Sequence, residues 1–346
     1  SDMVECEKTL GLLKMDFLGL ENLDILNLAL KYIKTTKKVA VHFHDINKAD
    51  DLNVIRDIYA CGRTNGVFQF ESDGIKKALT GFNPTSIDDV ILMNAAYRPG
   101  PMDSIPEITE VKNGTEKPNY IIPQMEQILG KTYGSAIYQE QIMQLFQLVG
   151  FSLGEADVIR RAMSKKHLDE IEAAKDKFVS GMIEQGGKPA DVEKFWIRLL
   201  AFASYAFNKS HAAAYSIVSY YTAFLKYYFP CEYLSAQLSY TPEKLKLFLS
   251  DLKYAGLTLL QPDINSGVPN FAPMPGNNKQ IRFGIKAIKG VSAAAQIIYD
   301  LRDTKKSNPN AHHLGPCKDY KDFIVRSIVY GVDMGVCTAL VRAGAL

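Results

Sequence analysis

Several common signatures are missing from this chain. Its five cysteines, Cys6, Cys61, Cys231, Cys317 and Cys337, form no CxxC pair and no zinc-finger spacing with histidine. Structural zinc and a redox dithiol are thereby excluded, leaving reduced cytosolic thiols packed as small hydrophobes. No apolar run reaches the roughly 18 residues that a spanning helix requires, and no secretory leader is expected. There is no internal repeat of fixed period. Charge of one sign is also lacking: 40 Lys and Arg against 38 Asp and Glu leave +2. A polyanionic partner would therefore have to be held by local clusters. What is there is ordinary for a soluble globular protein, with 346 residues, 47% hydrophobic and 23% charged. That length predicts two or three domains, each able to bury a core without staples. The opening Ser1-Asp2-Met3 reads as an expression scar or internal cut, so a piece of a longer protein is expected.

The patterning predicts helices over most of the chain. Gly11 to Leu20 reads as a buried strand ending in a turn. Leu23 to Tyr32 has helical periodicity, broken by the stretch Lys34 to Lys38. Asp50 to Ala60 is a second helix, Gly66 to Phe70 a short strand and Ser72 to Leu79 a helix. From Pro84 to Pro230 nearly every segment is helical, punctuated by Gly and Pro. Lys244 to Ala255 adds another helix, Leu257 to Phe271 is extended, and Ala272 to Lys279 reads as a surface loop. Ile281 to Leu346 reads as a small helical module.

Five places carry chemistry. Asp16 lies in an apolar strand, where a carboxylate needs a partner. That partner is either a metal or cationic ligand, or Lys14 two residues away on the same strand face. Arg160, Arg161, Lys165 and Lys166 place four cations in seven positions with no acid among them, behind a Ser152/Glu155 capping box. This is either a solvated helix face or one side of an anion site. Asn208-Lys209-Ser210-His211 precedes a run of alanines, with Ser210 as the expected N-cap and Lys209 just outside it. A helix N-terminus beside a lysine and a histidine suits phosphate. Tyr215, four residues after His211, shares its face and can stack on a base. Ile217, Val218, Tyr221, Phe224 and Leu225 are the expected core face of that helix. Arg98 is carried on a rigid Tyr-Arg-Pro-Gly-Pro turn. Finally, Lys289-Gly290-Val291 reads as a hairpin whose backbone N–H groups can touch DNA phosphates, with Leu340 to Ala345 as a second, cut short.

Six segments, in order, resemble the alpha-subunit family of bacterial DNA polymerase III, the C-family replicative polymerases. They are Lys14 to Gly19, Gly66 to Ser72, Tyr97 to Pro101, Tyr138 to Gln141, Ile159 to Lys166 and Phe207 to His211. The resemblance implies a mainly α fold with a few short strands. Residues 1–33 would be the end of a palm domain, 34–256 the fingers, and 257–346 a linker with a tandem helix-hairpin-helix region. It implies that Asp16 is the third catalytic aspartate and a Mg²⁺ ligand. Arg160, Arg161, Lys165 and Lys166 would contact the incoming triphosphate, completed by Asn208, Lys209, His211 and Tyr215, with Lys14 and Arg98 as further members. Lys289, Gly290 and Val291 would contact DNA. The implied partners are deoxynucleoside triphosphates, primer-template DNA and other replicase subunits including the sliding clamp, in the bacterial cytoplasm, with no membrane.

The reaction implied is addition of a deoxynucleotide to a primer 3′-OH, with two Mg²⁺ ions stabilising the attacking and leaving oxygens. An Asp-x-Asp pair, upstream in this family, is not in this sequence, so the chain alone is expected to be inactive. Three positions depart from the family pattern: Ser164 and Ala206 stand where glycine is usual, and His167 where lysine is frequent. They put loop detail in doubt and leave the charge largely intact. The competing expectation is a non-catalytic DNA-binding module working through the hairpin region.

Overall fold

The computed structural model describes residues 19–44, 46, 51–165, 167–203, 205–302 and 315–346. Lys14, Asp16 and Lys166 lie outside them, as does most of the predicted strand from Gly11 to Leu20. The fold is mainly α with one small sheet, as expected. α1 (Glu21–Lys37) runs through the predicted break at Lys34 and stops at Lys38, which takes a left-handed cap at φ 57°. α2 (Leu52–Val54) continues as a π-helical stretch over Ile55–Ala60. Then come α3 (Asp73–Phe82), α4 (Ile87–Ala96), α5 (Ile105–Lys112), α6 (Met125–Leu129), α7 (Gln139–Leu148) and α8 (Leu153–Lys165). α9 (Leu168–Glu184), α10 (Pro189–Ala203), α11 (Lys209–Tyr228), α12 (Pro230–Tyr240) and α13 (Leu245–Tyr254) follow. Strands β1 (Thr258–Leu259), β2 (Ala272–Met274) and β3 (Asn277–Arg282) form a sheet of order β1-β3-β2. α14 (Ala295–Asp300), α15 (Tyr320–Val329) and α16 (Met334–Arg342) complete the described elements.

Two predicted segments differ. Gly66 to Phe70 is no strand but two tight turns, Phe70 N–H donating to Val67 O at 3.0 Å. Val67, Phe68 and Phe70 are all buried, so the run does not alternate as a half-buried strand would. Conversely, Ala272 to Lys279 is a hairpin, β2 pairing antiparallel with β3 around Pro275-Gly276. Proline followed by a glycine at φ 77° is the chemistry of a type II turn, so the loop signal was the turn itself.

The chain divides into two compact units. The larger is Ala40–Leu234 with Leu245–Thr258. It holds two apolar cores, one around Tyr59, Phe70, Phe82 and Tyr220, the other around Phe146, Phe178 and Trp196. The second is an aromatic knot, Phe178 lying 4.9 Å from Phe146 and 5.2 Å from Trp196 between ring centroids. Each such fully buried ring contributes about 2–3 kcal/mol of burial free energy. The smaller unit joins the described part of Ser1–Val39 to Ser235–Lys244 and Leu259–Leu346. Its core is Ile285, Val291, Ile298, Phe323 and Leu340. No helix among the described residues is long and apolar enough to cross a membrane.

Candidate nucleotide site

The geometry converges on the start of α11, in the larger unit. Asn208, not Ser210, is the N-cap. Its backbone is extended (φ −70°, ψ 121°), and its Oδ1 accepts the His211 N–H at 2.9 Å. The Asn208 carbonyl already accepts from Ala212 N–H at 3.1 Å, so the helix begins two residues earlier than the serine suggested. Lys209 is therefore the first helical residue, and its N–H donates to both carboxylate oxygens of Glu140 at 3.1 Å. A helix N-terminus favours an anion, and here an internal carboxylate supplies one. Glu140 is placed by a short parallel bridge between Tyr138 and Phe207, in which Gln139 N–H donates to Phe207 O at 3.0 Å. The Gln139 side chain adds a bond to Ala206 O at 3.1 Å. The predicted Tyr138 to Gln141 cluster and the Phe207 to His211 loop thus form one structure.

A ladder of rings runs along the adjoining face. His211 stacks on Tyr215, centroids 4.3 Å apart and planes 22° apart. Phe207 meets His211 edge-on at 5.2 Å, and Phe68 packs on Tyr215 at 5.5 Å. The Arg98 guanidinium lies 3.7 Å over the Phe207 ring, a cation–π contact. Burial holds Arg98 below its ordinary value, though an arginine stays charged. Its loop is shaped by Gly100, at φ 101°, where an added Cβ would fall 2.3 Å from the Tyr205 ring. Lys209 Nζ lies 5.5 Å from the Tyr138 ring centroid. Arg98, Lys209, His211 and Tyr215 thus lie around one helix start.

The second basic element is less bare than the sequence suggested. The Ser152/Glu155 capping box forms, Ser152 N–H donating to Glu155 Oε2 at 2.7 Å and Glu155 N–H to Ser152 Oγ at 3.3 Å. On α8, however, Asp157 pairs with Arg160 at 2.8 Å and with Arg161 at 3.2 Å. The acid sits one helical turn before the cations, outside the seven residues that looked free of acid. Hydrogen bonding from Arg160, then the charges of both arginines, hold the Asp157 carboxyl below the usual carboxylate range. Lys165 is the last residue of α8. Ala156, Ile159, Ala162 and Met163 of α8 share one core with Ala206, so both basic elements stand on the same apolar base.

In the smaller unit, Lys289 and Gly290 are exposed in a turn, with Gly290 at φ 90°. Val291 is only 1% exposed and belongs to the core. Its side chain anchors the turn, which leaves Lys289 and the backbone to face outward. The second turn, at Gly344 (φ 70°), closes α16 through Ala345 N–H donating to Leu340 O at 3.0 Å. Among the described residues no cluster of three or more His, Cys, Asp or Glu could hold a metal ion.

Glu140, Asp157 and Phe68 were missed as members of the site. Asp157 was legible from its i,i+3 and i,i+4 spacing to the arginines. Glu140 and Phe68 meet α11 across 69 and 147 residues of chain, where no local signal exists.

The finger domain of the bacterial DNA polymerase III alpha subunit matches residues 22–186, and a helix-hairpin-helix motif matches residues 256–346. DNA polymerase III subunit alpha of Aquifex aeolicus is 39% identical over 350 residues, 99% of this chain and 29% of that protein. The same subunit of Thermus aquaticus is 38% identical over 349 residues, covering 98% of this chain and 28% of that protein. That of Neisseria meningitidis is 41% identical over 290 residues, covering 82% and 25%. The chain thus spans less than a third of the length of these relatives.

Proposed function

The chain belongs to the family of bacterial DNA polymerase III alpha subunits, and from that premise we propose that it binds the incoming deoxynucleoside triphosphate at the start of α11. The carrying observation is the convergence of Arg98, Lys209 and His211 on a ladder of stacked rings. Lys209 and Arg98 neutralise phosphate oxygens, and His211 donates to one. Asn208 spends its Oδ1 on the helix cap, which leaves its amide N–H groups to donate. His211 is exposed and Tyr215 partly so, and the side of the ladder they present offers a surface for the sugar or base. Arg160 and Arg161 add positive potential from α8, partly offset by Asp157, and Lys165 and Lys166 are proposed as further phosphate contacts.

In the whole polymerase, the proposal extends to deoxynucleotide addition at a primer 3′-OH, with primer-template DNA, the sliding clamp and other replicase subunits as partners. Lys289 and the Gly290 backbone are proposed to meet DNA phosphates. Mg²⁺ would supply charge neutralisation at the phosphates, with Asp16 proposed as a ligand and Lys14 as a further phosphate contact. The described residues do not by themselves fit a divalent ion.

Titration of the purified chain separates this proposal from its rival. A deoxynucleoside triphosphate should bind without DNA, and Lys209→Ala with His211→Ala should weaken that binding by about tenfold, or roughly 1.4 kcal/mol. Response to duplex DNA alone, confined to residues 281–346, would favour a non-catalytic DNA-binding module.

A further inference from the structure

Four non-glycine residues among those described take positive φ: Lys38 at 57°, Gln69 at 69°, Asn83 at 54° and Tyr133 at 54°. Three of them close helices. Lys38 follows α1, Asn83 follows α3, and Tyr133 follows the 3₁₀ turn Gly130–Thr132. A left-handed residue after a helix is ordinary, because it satisfies the last carbonyls. Gln69 ends no helix. It sits between two turns, where the conformation costs a side chain about 1 kcal/mol and a glycine almost nothing.

The surroundings force that conformation. Thr64 Oγ1 donates to Phe70 O at 2.5 Å, across the turn that contains Gln69. Phe68 N–H donates to Thr222 Oγ1 of α11 at 3.1 Å, and Gly66 N–H to Glu71 Oε1 at 3.0 Å. Tyr233 donates to Gly66 O at 2.5 Å. Lys226 Nζ donates to Arg63 O and Asn65 O, both at 2.8 Å. Phe68 and Phe70 are buried on either side, while Gln69 between them is exposed. No hydrogen bond among the described residues engages its amide. The loop is thus over-determined around a side chain that does nothing for the fold. Strain held in this way clusters where a group is presented to a ligand. The neighbour of Gln69, Phe68, packs directly on Tyr215 of the ring ladder.

We infer that Gln69 is a ligand-contacting residue of the α11 site, its amide hydrogen-bonding the nucleoside part of the bound nucleotide rather than its phosphates. The inference rests on the nucleotide-binding reading above. A primary amide both donates and accepts, which matches base edges and sugar hydroxyls alike. It carries no charge, so it has little to offer a triphosphate that cations already hold.

Two probes test it on the purified chain, a deoxynucleoside triphosphate and inorganic tripolyphosphate, by calorimetric titration alongside thermal unfolding. Gln69→Gly removes both amide and strain. It should unfold at the same or a higher temperature and bind the nucleotide about fivefold more weakly, the size of a lost neutral hydrogen bond. Its tripolyphosphate affinity should not change. Gln69→Asn keeps an amide on a residue that tolerates the left-handed region, and should fall between the two. Lys209→Ala should weaken both probes. Wild-type nucleotide affinity in Gln69→Gly, with Lys209→Ala impaired, overturns the role of Gln69 alone. Equal loss of both probes in Gln69→Gly also overturns it, since the residue would then act on phosphate or on folding. Failure of the wild-type chain to bind either probe overturns the underlying site and this inference with it.

Discussion

Glu140 is the residue that most changes how the α11 terminus works. Its carboxylate takes the Lys209 N–H, at the point where a bound phosphate would gain most from the helix dipole. A nucleotide brought there by Lys209 therefore meets a like charge as well as an opposite one. Glu140→Gln keeps an acceptor for the N–H and deletes the charge. At an effective dielectric between those of protein surface and water, one repulsive charge several ångströms away is worth about 1 kcal/mol. The variant should bind a deoxynucleoside triphosphate about fivefold more tightly at low ionic strength, with the gain shrinking as salt is added. Calorimetric titration at two salt concentrations measures this, and unchanged or weaker binding would place the ligand elsewhere. The sequence showed the acid between two glutamines, after a tyrosine, but not its target, because the bridge from Tyr138 to Phe207 spans 69 residues. The cap at Asn208 was readable in principle. Both Asn and Ser are good caps, and what chose between them was which backbone the Tyr138 bridge held extended.

At the scale of elements, α11 is held by a rail of small and polar groups rather than by the bulky face its pattern suggested. Ala212, Ser216, Ser219, Thr222, Ala223 and Lys226 are buried together with one large ring, Tyr220, while Ile217, Val218, Tyr221 and Phe224 are only half-buried and Leu225 alone of the expected face is fully buried. Asn94 of α4 donates to Ser216 Oγ at 3.1 Å, Tyr59 pairs with Ser219 Oγ at 2.8 Å, and Thr222 takes the Phe68 N–H. Hydropathy cannot see a rail of hydroxyls, because the partners that make them buriable lie on other segments of the chain. Lys226 ends the rail in a buried pair with Asp251 at 2.6 Å. Burial pulls its pKa down and the Asp251 charge only partly restores it. Lys226→Met should cost about 3–5 kcal/mol, by stranding Asp251 and two carbonyls. Adding Asp251→Leu should recover part of that loss, read as urea midpoints at constant slope.

A second buried pair, on α4 and α5, makes stability depend on pH. Asp89 accepts from Lys112 Nζ, Tyr133 OH and Thr85 N–H, each at 2.7 Å. Burial would raise its pKa, but the bonds from Lys112, Thr85 and Tyr133 outweigh it and hold the carboxyl below the usual range. A carboxylate whose folded value is depressed adds stability that is complete above its unfolded value, about 4. That stability is lost as pH falls through the folded value. Unfolding free energy should therefore decline below about pH 4. Asp89→Asn should be less stable at neutral pH and show a shallower decline, as measured by denaturation at several pH values.

For the whole molecule, the compact units are not consecutive blocks of sequence. The described part of Ser1–Val39 reaches residues more than two hundred positions away, Tyr32 OH donating to Phe271 O at 2.7 Å, which also takes Ser239 Oγ at 3.1 Å. Composition and punctuation mark linkers, but a tyrosine hydroxyl that finds a backbone carbonyl across 239 residues leaves no trace in either. Charge is the property that does scale from sequence to molecule. A net +2 over 346 residues provides no general attraction for DNA. Any grip on duplex must come from local clusters, each neutralised phosphate adding about −0.9 to the slope of log affinity on log salt. The turn at Lys289 and Gly290 separates the two kinds of contact. Lys289→Ala should weaken duplex binding uniformly across sequences and make the slope shallower by about 1. Gly290→Ala has room for its Cβ, 3.8 Å from that of Ala339, but is strained at φ 90°. It should weaken binding through displaced backbone N–H groups and leave the slope unchanged. Fluorescence anisotropy across a salt series distinguishes them. Equal slopes in wild type and Lys289→Ala would mean that the turn does not face phosphate.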